Sequence, residues 1–383
     1  MYTVVVIGSG VAGLSYAINV KLKHPQRSVV VLEWSEKIGG NSKMATSGIS
    51  LLHPPADSVQ RFISDVGNNH ITQFVTRNSP RILQFLHRCG IEFDTVYKTG
   101  MHSIARTFSN NKIDVNIGSY MVQKMGEYAR QLGVHIILNA CVRRVGHAPS
   151  GGFETVLVDD TRIQSLRMVI ATGGYSANYK LIPEKYMNLP TSNCRTAIGS
   201  GIMFAKALGG VFVDARPQIH PTSFVTKHVL DGSPIGNKTW LVPEIYRTIN
   251  SQLVGVEVNK LGPRTNIAEH IMKLSGGITM LKIPHEADRF NVTKTYLRNG
   301  MIILNPNVAR DGFKYIAYVK PCVHYTMGGV RTDDKHRVLG TDGRPIPDLY
   351  AIGETAHVFT SERACGLGLA TAVSSALIVA DLE

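Results

Sequence analysis

Three glycines and one carboxylate near the start of the chain have the types and spacing for binding a dinucleotide. Gly8, Gly10 and Gly13 stand in G-x-G-x-x-G order, and Glu33 follows twenty residues after Gly13. In such a loop the first glycine permits a tight turn. The second lets the backbone approach a pyrophosphate, and the third lets a helix pack closely on a strand. The helix that begins there offers free N–H groups and the positive end of its dipole to the phosphates. Glu33 is placed to accept hydrogen bonds from a ribose diol. Without a ligand the same glycines would be an ordinary turn, and the spacing does not separate a nicotinamide from a flavin dinucleotide.

These residues need a strand, a helix and a second strand to hold them. Residues 3–7 are a continuous β-branched run that ends in glycine, 11–22 have helical periodicity, and 29–33 are a second apolar run. This is a βαβ unit, which requires a mostly parallel sheet. Further helices are expected over 80–89, 119–132 and 201–208, and strands over 134–138, 154–158, 168–171 and 349–352. A small-residue stretch over 366–382 reads as a buried helix. Between His220 and Tyr318 the periodicity weakens and loop signals appear at Asp231-Gly232-Ser233-Pro234 and Gly276-Gly277. The fold class is therefore α/β. A Rossmann-like dinucleotide-binding domain is expected over 1–219 and 319–383, with a smaller α+β capping domain, shortened, inserted over 220–318.

Composition narrows the class. A chain of 383 residues with 44% hydrophobic and 18% charged residues is that of a soluble globular protein of two or three domains. The net charge of +13 is scattered, with no run of five basic residues, so it reads as a solvated surface, and no nucleic acid is expected as a partner. Five cysteines, none in C-x-x-C spacing, argue against a disulfide framework and against a metal site. The first strand starts at once, without a leader pattern, and no apolar stretch is long enough to span a membrane. A cytoplasmic location without membrane attachment is expected.

A second loop, Gly39-Gly40-Asn41-Ser42-Lys43-Met44-Ala45-Thr46-Ser47-Gly48, a third at Ala171-Thr172-Gly173-Gly174, and a late Gly353-Glu354 follow in order. Together with the fingerprint they resemble the flavoproteins of the fumarate reductase and succinate dehydrogenase family. Four more segments extend the resemblance toward the single-chain fumarate reductases: Gln218-Ile219-His220-Pro221-Thr222, Leu241-Val242-Pro243-Glu244-Ile245-Tyr246-Arg247, Asn259-Lys260-Leu261-Gly262-Pro263-Arg264 and His324-Tyr325-Thr326-Met327-Gly328-Gly329. Arg363 follows ten residues after Gly353.

The resemblance implies FAD as cofactor, held by Gly8, Gly10, Gly13, Glu33, Gly40, Asn41, Ser42, Ser47, Gly48, Thr172, Gly173, Gly174 and Glu354. No histidine lies between Gly39 and Ile49, where complex-bound relatives attach the flavin, so a non-covalent cofactor is implied. It further implies that a small dicarboxylate, most simply fumarate, is gripped by His220, Thr222, His324 and Arg363. Hydride passes from flavin N5 to one alkene carbon, and Arg264 protonates the other, with Glu244 and Arg247 restoring its proton. Glu244 and Arg247, three apart, become neighbours if their segment is helical.

The sequence departs from the family pattern at several points. Lys260 replaces a Glu after Asn259, Ser200 stands where an Asp is common, and of Phe359-Thr360-Ser361-Glu362-Arg363-Ala364-Cys365-Gly366 only Arg363 and Gly366 match. Two alternatives stay open: a related flavoenzyme with another carboxylate substrate, and an FAD-binding homologue with little catalysis. The ending at a helix after Gly366 fits a protein outside a respiratory complex, and no segment specifies the electron donor.

Overall fold

The computed structural model describes residues 1–225 and 239–383; the loop signals at 231–234 lie outside the described residues. The opening apolar run forms the strand Tyr2–Ile7, followed by the helix Val11–Lys23. Val29–Leu32 lies parallel to the first strand on one side, with His135–Ile137 parallel beyond it. On the other side Arg162–Ile170 is parallel to Tyr2–Ile7, and Pro345–Ala351 is parallel to Arg162–Ile170. Arg337–Leu339 closes one edge antiparallel, while Val142–His147 and Phe153–Leu157 run antiparallel off Arg162–Ile170. Val4, Val5, Val6 and Val30 have no exposed surface. Strands buried on both faces read as unbroken apolar runs, as these do.

The parallel pairing has a consequence for function. Ile7, Leu32, Ile170 and Ala351 all end at the same edge of the sheet. The segments that follow them, at Gly8, Glu33, Ala171 and Ile352, therefore meet at the carboxyl ends of the strands, where open α/β sheets bind ligands. The helix Leu367–Ala380 is almost entirely buried and packs on Val11–Lys23.

A second, antiparallel sheet has the order Pro217–Phe224, Tyr315–Thr326, Thr279–Ile283, Gln252–Leu253, with Ile303–Leu304 also on Tyr315–Thr326. It carries its own apolar core, which draws on Phe224, Val242, Tyr246, Ile267, Leu281, Phe290 and Val319. Two irregularities break its first ladder. Gln218 faces Tyr325 but Ile219 faces Val323, so His324 is the extra residue of a bulge. His220 faces Cys322 but Ser223 faces Lys320, which leaves Pro221 and Thr222 against Pro321. Bulges re-aim side chains, and a proline, having no N–H, is tolerated where the ladder is already broken.

Most expected elements appear within a few residues. The exception is the helix expected over 80–89, which runs His70–Arg88 with Pro80 inside it. Its true start is a capping box. The Asn69 side chain accepts from Thr72 N at 3.0 Å, and the Thr72 hydroxyl accepts from Asn69 N at 2.9 Å. Among the described residues no helix is long and apolar enough to cross a membrane.

Candidate functional site

The loops at the sheet edge and the two bulged strands enclose one cavity of about 610 Å³. At the sheet end the glycines do distinct jobs. Gly8 sits at φ +110°, and a Cβ there would lie 2.3 Å from the Ala171 carbonyl oxygen. A Cβ on Gly13 would lie 2.0 Å from the Gly8 oxygen, so this glycine serves packing and is not on the cavity wall. Gly10 lines the cavity beside Ser42, whose hydroxyl accepts Val11 N–H at 3.0 Å. Glu33 accepts Ser9 N–H at 3.2 Å and Ser35 N–H at 2.8 Å, which fixes its carboxylate at the wall.

The second loop forms a short turn, Gly40–Met44. The Asn41 side chain binds Asn193 and accepts Cys194 N–H at 2.8 Å, while the Ser47 carbonyl accepts the Tyr97 hydroxyl. Gly48 is pressed against the Phe108 carbonyl. In the third loop Gly173 N–H donates to Thr355 Oγ1 at 2.9 Å, and Thr172 lines the cavity. A Cβ on Gly174 would lie 2.0 Å from Thr326 Oγ1, so Gly174 packs behind the wall. Glu354 accepts Thr326 N–H at 2.9 Å and the Thr326 hydroxyl at 3.0 Å. Burial pushes its carboxyl up to about 7.

This arrangement fits a dinucleotide. Added side chains at Gly40 and Gly173, both on the wall, would meet nothing within 4 Å and would project into open space. The cavity volume also lies in the roughly 300–1,000 Å³ range of small-molecule and cofactor sites. Glu33 would hold a ribose, the Gly8–Gly13 turn a pyrophosphate, and the Gly40–Gly48 loop and Gly173 the remainder of FAD.

At the other end the cavity meets His220, Arg264, His324 and Arg363. Arg363 Nη2 lies 3.4 Å from His324 Nε2, and its guanidinium carbon lies 4.3 Å from the Tyr325 ring centre. An arginine only donates, so His324 Nε2 accepts, and Nδ1–H donates to Ser192 Oγ at 2.9 Å. His220 Nδ1 accepts Thr222 N–H at 3.2 Å, which leaves Nε2–H facing Glu244 Oε2 at 3.5 Å. Burial pushes His220 down to about 3, despite Glu244. Burial, reinforced by His220 and Arg363, holds His324 well below the usual imidazole range. Both rings are neutral, so the cations on this wall are the two arginines. Burial, and then the charge of Arg264, lowers the pKa of Arg363. The two like charges face the same cavity.

Glu244 and Arg247 occupy the one-turn helix Glu244–Thr248 and form a fully buried i,i+3 pair. Arg264 opens the helix Arg264–Met272 and reaches Glu244 Oε2 at 3.3 Å. Gly100 N–H donates to Glu244 Oε1 at 3.2 Å. Burial alone would raise the Glu244 pKa. Arg247, then Arg264 and His220, hold it well below the carboxylate range. The result is a continuous chain, Arg264–Glu244–Arg247, leading from the cavity wall into the protein.

Thr222 is not on the wall. Its backbone fixes His220, and its hydroxyl is buried with no partner among the described residues. Several residues that sequence reasoning missed build the site: Ser192 orients His324, Asn193 ties down Asn41, Tyr325 lies under Arg363, and Cys365 lines the cavity beside Arg264. Ser192 and Asn193 sit in no motif that could have drawn attention to them, while Tyr325 and Cys365 lie beside the motif residues His324 and Arg363 without a signal of their own.

Comparisons with known proteins agree with this geometry. The FAD binding domain family matches residues 3–369. The NADH:fumarate oxidoreductase of Klebsiella pneumoniae is 25% identical over 92% of the chain, which spans 44% of that protein. Fumarate reductase 1 of Saccharomyces cerevisiae is 26% identical, with 92% of each covered. L-aspartate oxidase of Pyrococcus furiosus is 29% identical over 92% of the chain and 71% of its own length. The open conformation of a flavocytochrome c3 fumarate reductase superposes with a TM-score of 0.78 at 21% identity, covering 99% of this chain and 77% of that one. The chain thus belongs to the FAD binding domain family, as an FAD-dependent oxidoreductase related to the fumarate reductase and L-aspartate oxidase flavoproteins.

Proposed function

We propose that this protein reduces the C=C bond of a small dicarboxylate, fumarate to succinate, with FAD held non-covalently. The observation that carries the reading is the pair Arg264 and Arg363, two buried cations on one cavity wall. A dianion between them would exchange their repulsion for two charge-assisted contacts. Bound FAD supplies hydride at N5. Arg363, oriented by His324, would grip the carboxylate that gains charge as hydride arrives, stabilising the transition state more than the ground state. Arg264 would protonate the second carbon, and Glu244 would pass it a proton from Arg247. His220, whose ring is fixed by Thr222 N–H and whose Nε2–H is held only at 3.5 Å from Glu244, would steady the second carboxylate.

Two features favour fumarate over an amino acid such as aspartate. Glu244 has both oxygens committed to Arg247, Arg264 and Gly100. The carboxylates on the cavity wall among the described residues are Glu33, at the sheet end, and Glu354, bound to Thr326. An ammonium group would meet arginines here. We read the second core and its sheet, over 220–318, as the unit that caps the cofactor domain over 1–219 and 319–383. Five free thiols fit a reducing, cytoplasmic setting. The test is direct: flavin on the purified protein is reduced anaerobically, and fumarate is added. Rapid reoxidation, with succinate formed, supports the reading. Reoxidation by aspartate-derived iminosuccinate but not by fumarate sinks it.

A further inference from the structure

Arg247 poses a problem for the relay just described. It has no exposed surface, and its Nε and Nη1 are buried without a hydrogen-bond partner among the described residues. A residue that must regain a proton on every turnover needs a link to solvent. Glu244, on its other side, leads to Arg264, His220 and Gly100, all of them buried.

The neighbouring chain segment offers one. Gly100 has no side chain, and the point where its Cβ would stand is 3.3 Å from Arg247 Nη2 and 3.5 Å from the Leu261 carbonyl oxygen. The Leu261 carbonyl, one residue on from Lys260, therefore lies within a side chain's reach of the guanidinium. Lys260 is only partly buried and anchors its ammonium to the Ser251 carbonyl, with the Ser251 hydroxyl 3.4 Å away. Burial, and then the charge of Arg247, lowers its pKa, and Arg247 is the charged group felt there. A half-exposed lysine beside a buried arginine can shed a proton inward and be reprotonated by water.

We propose that Lys260 is the proton-entry residue of the site, handing protons from solvent to Arg247 and through Glu244 to Arg264. The inference rests on the fumarate reductase reading and deepens it. Lys260 touches neither substrate nor cofactor and acts only through Arg247. One proton moves at each step: from the Lys260 ammonium to Arg247 as Arg247 gives one to Glu244, from Glu244 to Arg264, and from Arg264 to the substrate carbon that hydride did not attack. Lys260 then takes one proton from water, and no electron passes along the chain.

The experiment uses the FAD-loaded full chain with an artificial reduced dye as donor and fumarate as acceptor. Lys260→Gln keeps a donor for Ser251 but carries no proton. It should lower kcat by at least about tenfold and leave KM for fumarate and flavin content unchanged. It should also remove the alkaline fall of kcat that the wild type shows as Lys260 deprotonates. Added methylamine should restore part of the rate, and Lys260→Arg, a poorer acid, should stay slow. A Lys260→Gln enzyme with wild-type kcat and the same alkaline limb overturns the proposal, provided Arg264→Ala has lost turnover. If Arg264→Ala keeps its turnover, the relay itself is wrong and the proposal falls with it. Uniform loss of flavin and activity in both Lys260 variants, without amine rescue, assigns Lys260 a structural role and also overturns the proposal.

Discussion

Arg363 Nη2 points at His324 Nε2 from 3.4 Å, a long contact between a buried cation and a neutral ring. The contact is incomplete: Arg363 Nε has no partner among the described residues. Its remaining donors go to the Ala364 carbonyl and the face of Tyr325. Arg363→Ala should therefore spare flavin binding and raise KM for fumarate steeply. Losing one partner of a desolvated charge pair costs roughly 2–5 kcal/mol. Titration of the FAD-loaded variant with fumarate or succinate measures this, and an unchanged affinity removes Arg363 from the substrate site.

The cofactor should leave with the fold. The Gly40–Gly48 loop contributes Asn41, Ser42, Met44 and Ser47 to the wall but no histidine. Acid precipitation of purified protein should release all flavin into the supernatant, and chromatography should identify it as FAD. Colour retained on the denatured pellet would show a covalent link.

Glu354 gives a pH signature. Burial raises its carboxyl to about 7, from the ordinary 4.5 of a free glutamate. The folded, cofactor-free chain therefore binds a proton more tightly than the unfolded chain. The stability this contributes is full below about pH 4.5 and is lost as pH rises through about 7. The span corresponds to something on the order of 3 kcal/mol. Glu354→Gln should flatten the pH dependence of urea unfolding in that window, and an unchanged slope would place the titration elsewhere.

Arg106 is fully buried, and it pairs with Asp57 at 2.9 Å and Asp65 at 2.8 Å. Its Nη1 also donates to His102 Nδ1 at 3.3 Å, so His102 Nε2–H donates to the Cys365 carbonyl at 2.9 Å. The network steadies the loop that carries Arg363. Asp57→Asn leaves a buried cation half paired and should cost about 3–5 kcal/mol. Thermal denaturation measures this, and a melting temperature near that of the wild type refutes it.

The sheet and its loops were legible because their signals are local. The run before Gly8 and the spacing to Glu33 fix strand, turn, helix and strand within about thirty residues. The start of the His70–Arg88 helix was hidden because Pro80 mimics a first-turn proline, while the capping box at Asn69 and Thr72 lacks the usual acidic partner. At the site, histidines and arginines were visible through their motifs. Ser192, Gly100 and Tyr325 were not, because their roles arise from contacts between segments far apart in sequence: Ser192 meets His324, and Gly100 meets Glu244. The placement of Thr222 behind His220 depends on a bulge, and a one-residue shift in register has no signature in the sequence.

Arg264 is the residue on which the proposed mechanism turns. It is buried, lines the cavity and hydrogen-bonds Glu244 Oε2 at 3.3 Å. Burial works against its charge, but Glu244, then Cys365 and Glu362, raise its pKa overall. So stable a cation is a weak acid in water and can donate only to a strongly basic centre, such as the carbon left after hydride transfer. Its contribution should therefore appear more in the transition state than in binding. Arg264→Lys keeps a charge but shortens the reach to substrate and Glu244, and Arg264→Ala removes the donor. Both should lower kcat and kcat/KM together by about 10²–10⁴-fold. Flavin reduction by an artificial dye, which needs no proton at this position, should survive in both. Steady-state assays with fumarate and stopped-flow traces of the dye half-reaction separate the two steps. Near-normal turnover in Arg264→Ala would mean that the proton reaches the substrate by another route, and Arg247 would then be the next residue to replace.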